Sequence, residues 1–284
     1  MRGLALAWCV AAGCGRGGAG VDAGAGTGVE AGAGPGAGTP EAGLAPLAWD
    51  GGAQPSLSNG LPIVALPVEG APEAVVSLPL GATGPKPVVV ATHGAWDGPE
   101  GLCDDQRWIF RDTAWVVCPR GRPMPDKTFR YDSAAAIAKE IDADLRALAA
   151  RYPGTVDPGA PVLYTGFSLG AILGVGVITG EPARFPRAVL IEGGEDKWSP
   201  ALAAKYAKGG GARVLFVCGL RGRVPAAQQA AAMLGRAGVG AHVALAKLPG
   251  KDQFIHWYNG PVADETRAQL PWLFEGDPRW VSAP

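Results

Sequence analysis

The chain reads as an α/β protein with a mostly parallel sheet flanked by helices, and three observations carry that reading. Short β-branched runs alternate with helical stretches from about residue 46 onward. The runs are continuously apolar, as expected of strands covered on both faces. The stretches between them repeat apolar residues three and four apart, the period of one helix face. Parallel neighbours need crossover connections, and this alternation supplies them. The expected strands are 88–92, 114–118, 162–165, 188–191, 214–217 and 243–246. Residues 64–66 and 74–78 are read as antiparallel strands at one edge. The expected helices are 133–151, 169–178, 200–208, 225–237 and 262–274. In the first of them Ala136, Ile137, Ile141, Leu145 and Leu148 share a face, Asp132 is the expected N-cap, and Pro153-Gly154 follows the end. Pro225 suits the first turn of its helix.

Composition narrows the function classes. Of 284 residues, 48% are hydrophobic and the mean hydropathy is +0.12, enough for a large core. The formal net charge is −1, with no basic block and no basic–aromatic interleaving, so binding of nucleic acid through bulk electrostatics is excluded. No apolar run approaches the roughly 18 residues of a spanning helix. The N-terminus carries Arg2, an apolar stretch over 4–12, and then Ala11-Ala12-Gly13-Cys14. This resembles a bacterial lipoprotein signal, which implies removal of residues 1–13, lipidation of Cys14 and attachment to a membrane through that lipid, in the periplasm or at the cell surface. A plain secretory peptide cleaved nearby is the alternative, and either reading takes the protein out of the cytoplasm. Residues 14–45 read as a Gly/Ala-rich tether with a root-mean-square reach of about 30 Å, too poor in apolar residues to offset the entropy of ordering. Residues 46–284 form the expected single domain.

The most informative segment is Gly166-Phe167-Ser168-Leu169-Gly170, between a strand-like and a helix-like run. A serine there sits on a sharp turn with its Oγ projecting from the sheet and the next backbone N–H able to meet a substrate oxygen. The motif alone is weak: seven serines among 44 glycines give an accidental match about one time in six. Context adds Thr92-His93-Gly94 after an early strand and His256 beyond the last. Gly81-Ala82-Thr83-Gly84-Pro85-Lys86 precedes a strand and lacks a following Ser or Thr, so it reads as a turn, not a phosphate loop.

With these features the chain resembles the α/β-hydrolase superfamily over roughly residues 61–275. The segment Cys118-Pro119-Arg120-Gly121 and the cysteine usage resemble secreted polyhydroxyalkanoate-depolymerase or feruloyl-esterase relatives. The resemblance implies Ser168 as nucleophile, His256 as general base, and an oxyanion hole from the N–H groups of Leu169 and of Ala95 or Trp96. Of the other histidines, His93 is expected to shape the oxyanion loop and His242 to pack or face solvent at the far end of its strand. Most members carry an aspartate after their seventh strand, but here that place reads Cys218-Gly219-Leu220-Arg221-Gly222-Arg223, with no carboxylate. Some lipase-like members place the acid after the sixth strand, which points to Glu192; Glu195, Asp196 and Asp252 stay open as alternatives. Arg221 and Arg223 are read as exposed loop arginines, with an anionic substrate group as the other possibility.

The link after Glu192 has no room for a large cap, so an open serine that accepts bulky or polymeric acyl substrates is expected, the partner being a small-molecule or polymeric ester. Trp96, Phe167, Trp198 and Trp257 adjoin the site residues and are candidates for the cleft wall or for the core. Three cysteines remain beyond the leader, Cys103, Cys118 and Cys218. Cys103–Cys118 is the preferred bridge, across a short helix-to-strand excursion, although spacing does not fix the pairing. Neither paired CxxC nor HExxH occurs, so zinc has little support and no cofactor is expected. The leading function is an extracytoplasmic serine esterase. The alternatives are a non-enzymatic envelope binding lipoprotein on a degenerate hydrolase fold and a peptidase on the same scaffold.

Overall fold

The computed structural model describes residue 57 and residues 60–157, 159–247 and 256–280. The expectations for residues 1–45, Cys14 and Asp252 therefore lie outside the described residues. In chain order the elements are β1 (Ile63–Leu66), β2 (Ala74–Ser77), β3 (Val88–Thr92), α1 (Pro99–Phe110), β4 (Trp115–Cys118), β5 (Arg122–Pro123), β6 (Phe129–Arg130), α2 (Ala134–Arg151), β7 (Leu163–Phe167), α3 (Leu169–Gly180), β8 (Arg187–Ile191), α4 (Pro200–Lys208), β9 (Arg213–Cys218), α5 (Val224–Arg236), β10 (Gly240–Leu245), α6 (Pro261–Ala268) and α7 (Leu270–Phe274).

The main sheet runs β1-β2-β4-β3-β7-β8-β9-β10. From β4 to β10 all neighbours are parallel, while β2 runs antiparallel to both β1 and β4 at the edge. The strands are apolar on both faces because both are buried. Along β3, Val88 and Val90 enter one core cluster with Trp115, Ile137 and Tyr164, and Val89 and Ala91 enter the other with Ile109, Phe110 and Leu163. That alternation is the two-residue period of the pleat. Each fully buried aliphatic side chain contributes about 1.5–3 kcal/mol, so both faces hold the sheet in place.

Four details differ from the sequence expectations. Ser133, not Asp132, caps α2, accepting from the Ala136 N–H at 3.1 Å; Asp132 faces Arg122 and Arg130 instead. The helix expected over 262–274 is two, because Pro271 lacks an N–H and crowds the preceding turn. Helix α1 is absent from the expected helices, although the Cys103–Cys118 excursion implied a helical segment there. Its buried face is Leu102, Gln106, Ile109 and Phe110, a helical spacing interrupted by the polar run Asp104-Asp105. The β5–β6 ribbon was also missed, since two-residue strands leave no period to read.

Cys103 of α1 and Cys118 of β4 form a disulfide with a Cα–Cα distance of 5.9 Å, and Cys218 is free and buried. Burial first, then the nearby Glu192 and Glu195, pushes the Cys218 thiol up to about 12. No helix among the described residues is long and apolar enough to cross a membrane.

Candidate active site

The C-terminal ends of β3, β7, β8 and β9 lie side by side, and each contributes a loop. Ser168 follows β7 directly, on a turn tight enough to force φ to 50°. Its flanking glycines are required by contact. A Cβ on Gly166 would sit 2.7 Å from the Gly170 carbonyl carbon, and a Cβ on Gly170 would sit 2.3 Å from the Thr92 carbonyl oxygen. The turn is pinned on both sides: Ser168 N–H donates to Ile191 O at 2.9 Å, and Gly170 N–H donates to His93 O at 3.1 Å.

Five described non-glycine residues have positive φ, and three of them, Trp96, Ser168 and Glu192, surround this point. Such backbone costs about 1–3 kcal/mol per residue and persists only where its surroundings enforce it. For Glu192 the enforcement is visible. Its N–H donates to Val217 O at 3.0 Å, and its side chain is fully buried. Carboxylate Oε1 accepts from the N–H groups of Gly219 and Leu220, the latter at 2.9 Å. The place after β9 that lacks an acid thus supplies two donors to an acid on β8.

His256 joins the two. Its Nε2 lies 2.8 Å from Ser168 Oγ, and its Nδ1 lies 3.1 Å from Glu192 Oε2. With Nδ1–H donating to the carboxylate, Nε2 is left as an acceptor for the serine proton. The Phe167 ring backs the imidazole at 5.0 Å and meets Tyr258 edge-on at 4.7 Å. Two of the other expected acids sit elsewhere. Glu195 is buried against Arg223, Asp196 is exposed and pairs with Lys197, and Asp252 lies outside the described residues.

Leu169 opens α3, so its N–H belongs to the set a helix cannot satisfy internally and lies at the positive end of the helix dipole. In the facing loop the Trp96 N–H donates to Phe129 O at 3.1 Å, so of the two expected donors Trp96 is committed elsewhere. His93 is fully buried, its ring tilted against Tyr131 at 4.6 Å, with Nδ1 at 2.7 Å from Gly94 O and Nε2 at 2.8 Å from Arg120 O. It ties the loop to the segment after β4, and both ring nitrogens face backbone carbonyls instead of Ser168. His242 lies on β10 against Trp272.

The link from β8 to α4 contains only the short 3-10 turn Glu195–Lys197, so no cap covers the serine among the described residues. Trp96 (66% exposed) and Trp257 (45%) stand at the surface. Trp198 is core, packed on Tyr206, and Phe167 lies beneath the imidazole. Arg221 is exposed as expected, but Arg223 is not: it reaches both Glu192 and Glu195. That contact had no local signature in the sequence. A cavity of about 430 Å³ lies apart from Ser168, between residues 69–72, the β5–β6 ribbon and α2. The described residues contain no cluster suited to a metal ion.

No family model matches the chain, and no curated protein sequence matches it. Solved structures do. A dienelactone hydrolase-like promiscuous phosphotriesterase from metagenomic libraries superposes with a TM-score of 0.54 at 16% identity, covering 75% of this chain and 96% of that one. A carboxylesterase from Mesorhizobium loti gives 0.52 at 21% identity, over 72% and 97%. An uncharacterized protein from Bacillus cereus gives 0.53 at 14% identity, over 68% of this chain; the match spans 60% of that protein, under two thirds of its length. At these identities the likeness establishes architecture. The chain has the α/β-hydrolase fold, with a mostly parallel eight-stranded sheet flanked by helices.

Proposed function

We propose that the protein is a serine hydrolase that cleaves carboxylic esters through an acyl-enzyme. One observation carries the reading: a serine on a strained turn with imidazole Nε2 at 2.8 Å, the other ring nitrogen being held by a buried carboxylate. Ser168 Oγ attacks the ester carbonyl carbon as His256 Nε2 takes its proton. The oxyanion is received by the N–H groups of Leu169 and Ala95. Collapse breaks the carbon–oxygen bond to the alcohol, which takes the proton from His256. Water, activated by the same imidazole, then releases the acid and restores the serine. Glu192 keeps Nδ1 protonated and stabilises the transient imidazolium. Each oxyanion donor supplies about 10²–10³ in rate. The absence of a cap in the β8–α4 link supports an open site and esters with bulky or polymeric groups. The segment around Cys118 supports a place near secreted polyhydroxyalkanoate depolymerases and feruloyl esterases.

We further propose that the enzyme works outside the cytoplasm, anchored through Cys14 and joined to the anchor by residues 14–45. The N-terminal sequence motivates this, and the Cys103–Cys118 bridge fits an oxidising compartment. Hydrolysis of p-nitrophenyl esters by the wild type and by His256→Ala tests the chemistry, with a loss of about 10²–10⁴-fold expected. Full activity in the variant would remove the proposed base. Mass spectrometry of the mature N-terminus tests the anchor; an unmodified Cys14 would reject it.

A further inference from the structure

We infer that Arg223 is a positioning residue for the acid of this site: it fixes the Glu192 carboxylate in line with His256 and moderates how strongly that carboxylate favours a protonated imidazole. The inference rests on the serine-hydrolase reading, and adds to it a role for a residue expected only as an exposed loop arginine or as a holder of an anionic substrate group.

Arg223 closes the short turn after β9, the place where the superfamily resemblance leads one to expect the acid itself. Its Nε is 3.4 Å from Glu192 Oε2, the oxygen that His256 Nδ1 reaches at 3.1 Å. Its Nη1 is 2.5 Å from Glu195 Oε1. The Glu192 and Glu195 side chains are 0% and 7% exposed. Two carboxylates so near each other in a low-dielectric setting would oppose each other's ionisation, and an intervening cation relieves this. The planar fork of arginine serves two carboxylates in fixed directions, whereas a lysine ammonium is a point charge with rotatable donors. The ionisable groups facing Glu192 are His256, Arg223 and the Cys218 thiol, with Glu195 beyond Arg223 and the Gly219 and Leu220 amides on Oε1. Those facing His256 among the described residues are Ser168 and Glu192, with the Phe167 ring behind. Imidazolium and guanidinium therefore share one carboxylate oxygen.

The sign follows. Without the guanidinium, Glu192 acts on His256 undivided, the protonated imidazole is favoured, and the base is blocked to higher pH. In Arg223→Gln the acid limb of kcat/KM moves toward higher pH, so that activity at pH 6 relative to the plateau falls about three- to tenfold below the wild-type ratio. Arg223→Lys keeps the charge and loses the fork: its plateau falls while its limb stays in place. In Glu195→Gln the guanidinium bears more fully on Glu192, and the limb moves toward lower pH. A purely structural Arg223 would lower the plateau without moving the limb, and that result overturns the inference. So would limbs that move the same way in Arg223→Gln and Glu195→Gln.

A second readout needs no catalysis. The chain has three histidines, so the ring signals of His256 can be followed against pH by NMR in full-length Ser168→Ala, with and without Arg223→Gln. Titration displaced to higher pH by the second substitution supports the inference, and coincident curves overturn it. A wild type inert toward esters would instead refute the serine-hydrolase reading, and the NMR comparison still decides the role of Arg223.

Discussion

Glu192→Gln isolates the function of the buried acid with almost no change of shape. Glu192 Oε1 accepts two backbone N–H groups, from Gly219 and Leu220, while Oε2 receives His256 Nδ1–H. A glutamine has one oxygen and one NH₂. If the oxygen stays with the two amides, the NH₂ faces His256 and obliges Nδ1 to accept. The proton then resides on Nε2, which no longer takes the proton of Ser168. If the amide flips, its NH₂ confronts two N–H donors in a site without solvent, at a cost of about 1–3 kcal/mol per unsatisfied group. The flipped amide would keep the wanted tautomer, so this cost favours the first arrangement, which disables the base. Loss of the wanted tautomer in a serine triad is worth about 10⁴ in kcat, or about 5 kcal/mol in the barrier. The assay is kcat/KM for a p-nitrophenyl ester at pH 8, with circular dichroism and a melting curve to show that the variant is folded. A loss of 10³-fold or more, with KM little changed, is expected. A folded Glu192→Gln enzyme within tenfold of wild type would mean that the carboxylate does not govern the tautomer.

Two further results concern stability. Gly170→Ala drives a methyl into the Thr92 carbonyl, since a Cβ there would lie at 2.3 Å; urea denaturation should report a loss of about 1–3 kcal/mol, and unchanged stability would show that the turn is not so tightly set. Asp144 lies fully buried on α2 with neither carboxylate oxygen hydrogen-bonded, and burial, then Glu140, pushes it up to about 8. Because its folded value exceeds the unfolded one of 3.8, the folded chain holds a proton that the unfolded chain releases. Stability attributable to this group is complete below about pH 4, declines by about 1.4 kcal/mol per pH unit at most, and levels off above about pH 8. Asp144→Asn removes that slope, so the variant should gain stability over wild type as pH rises from 4 to 8; parallel stability–pH curves would contradict it.

The legible parts of the molecule were those written locally. Continuous apolar runs announced β3, β4 and β7 to β10 because both faces of each are buried, and the glycines around Ser168 announced the turn because a Cβ fits at neither. Helix α1 was hidden by Asp104-Asp105 within its apolar spacing, and the break at Gln269 by a heptad-like run that continues across Pro271. Contacts made across the sheet ends left no local mark. The Gly219 and Leu220 amides that receive Glu192 carry no side-chain signature, and Arg223 reads as a loop cation until its two carboxylates are seen. The commitment of the Trp96 amide to Phe129 depends on a two-residue ribbon that no periodicity reveals. The missing acid after β9 directed attention to Glu192 one strand earlier, but that the β9 turn's backbone and Arg223 hold this carboxylate was not legible.

The account stands on Ser168 being a nucleophile made reactive by His256. Intact-mass and peptide analysis after exposure to a fluorophosphonate reads this directly. One adduct on the Ser168 peptide of the wild type is expected, none in Ser168→Ala, and labelling slowed by about 10²-fold or more in His256→Ala. A wild type that gains no mass, or an adduct that persists in Ser168→Ala, would contradict it.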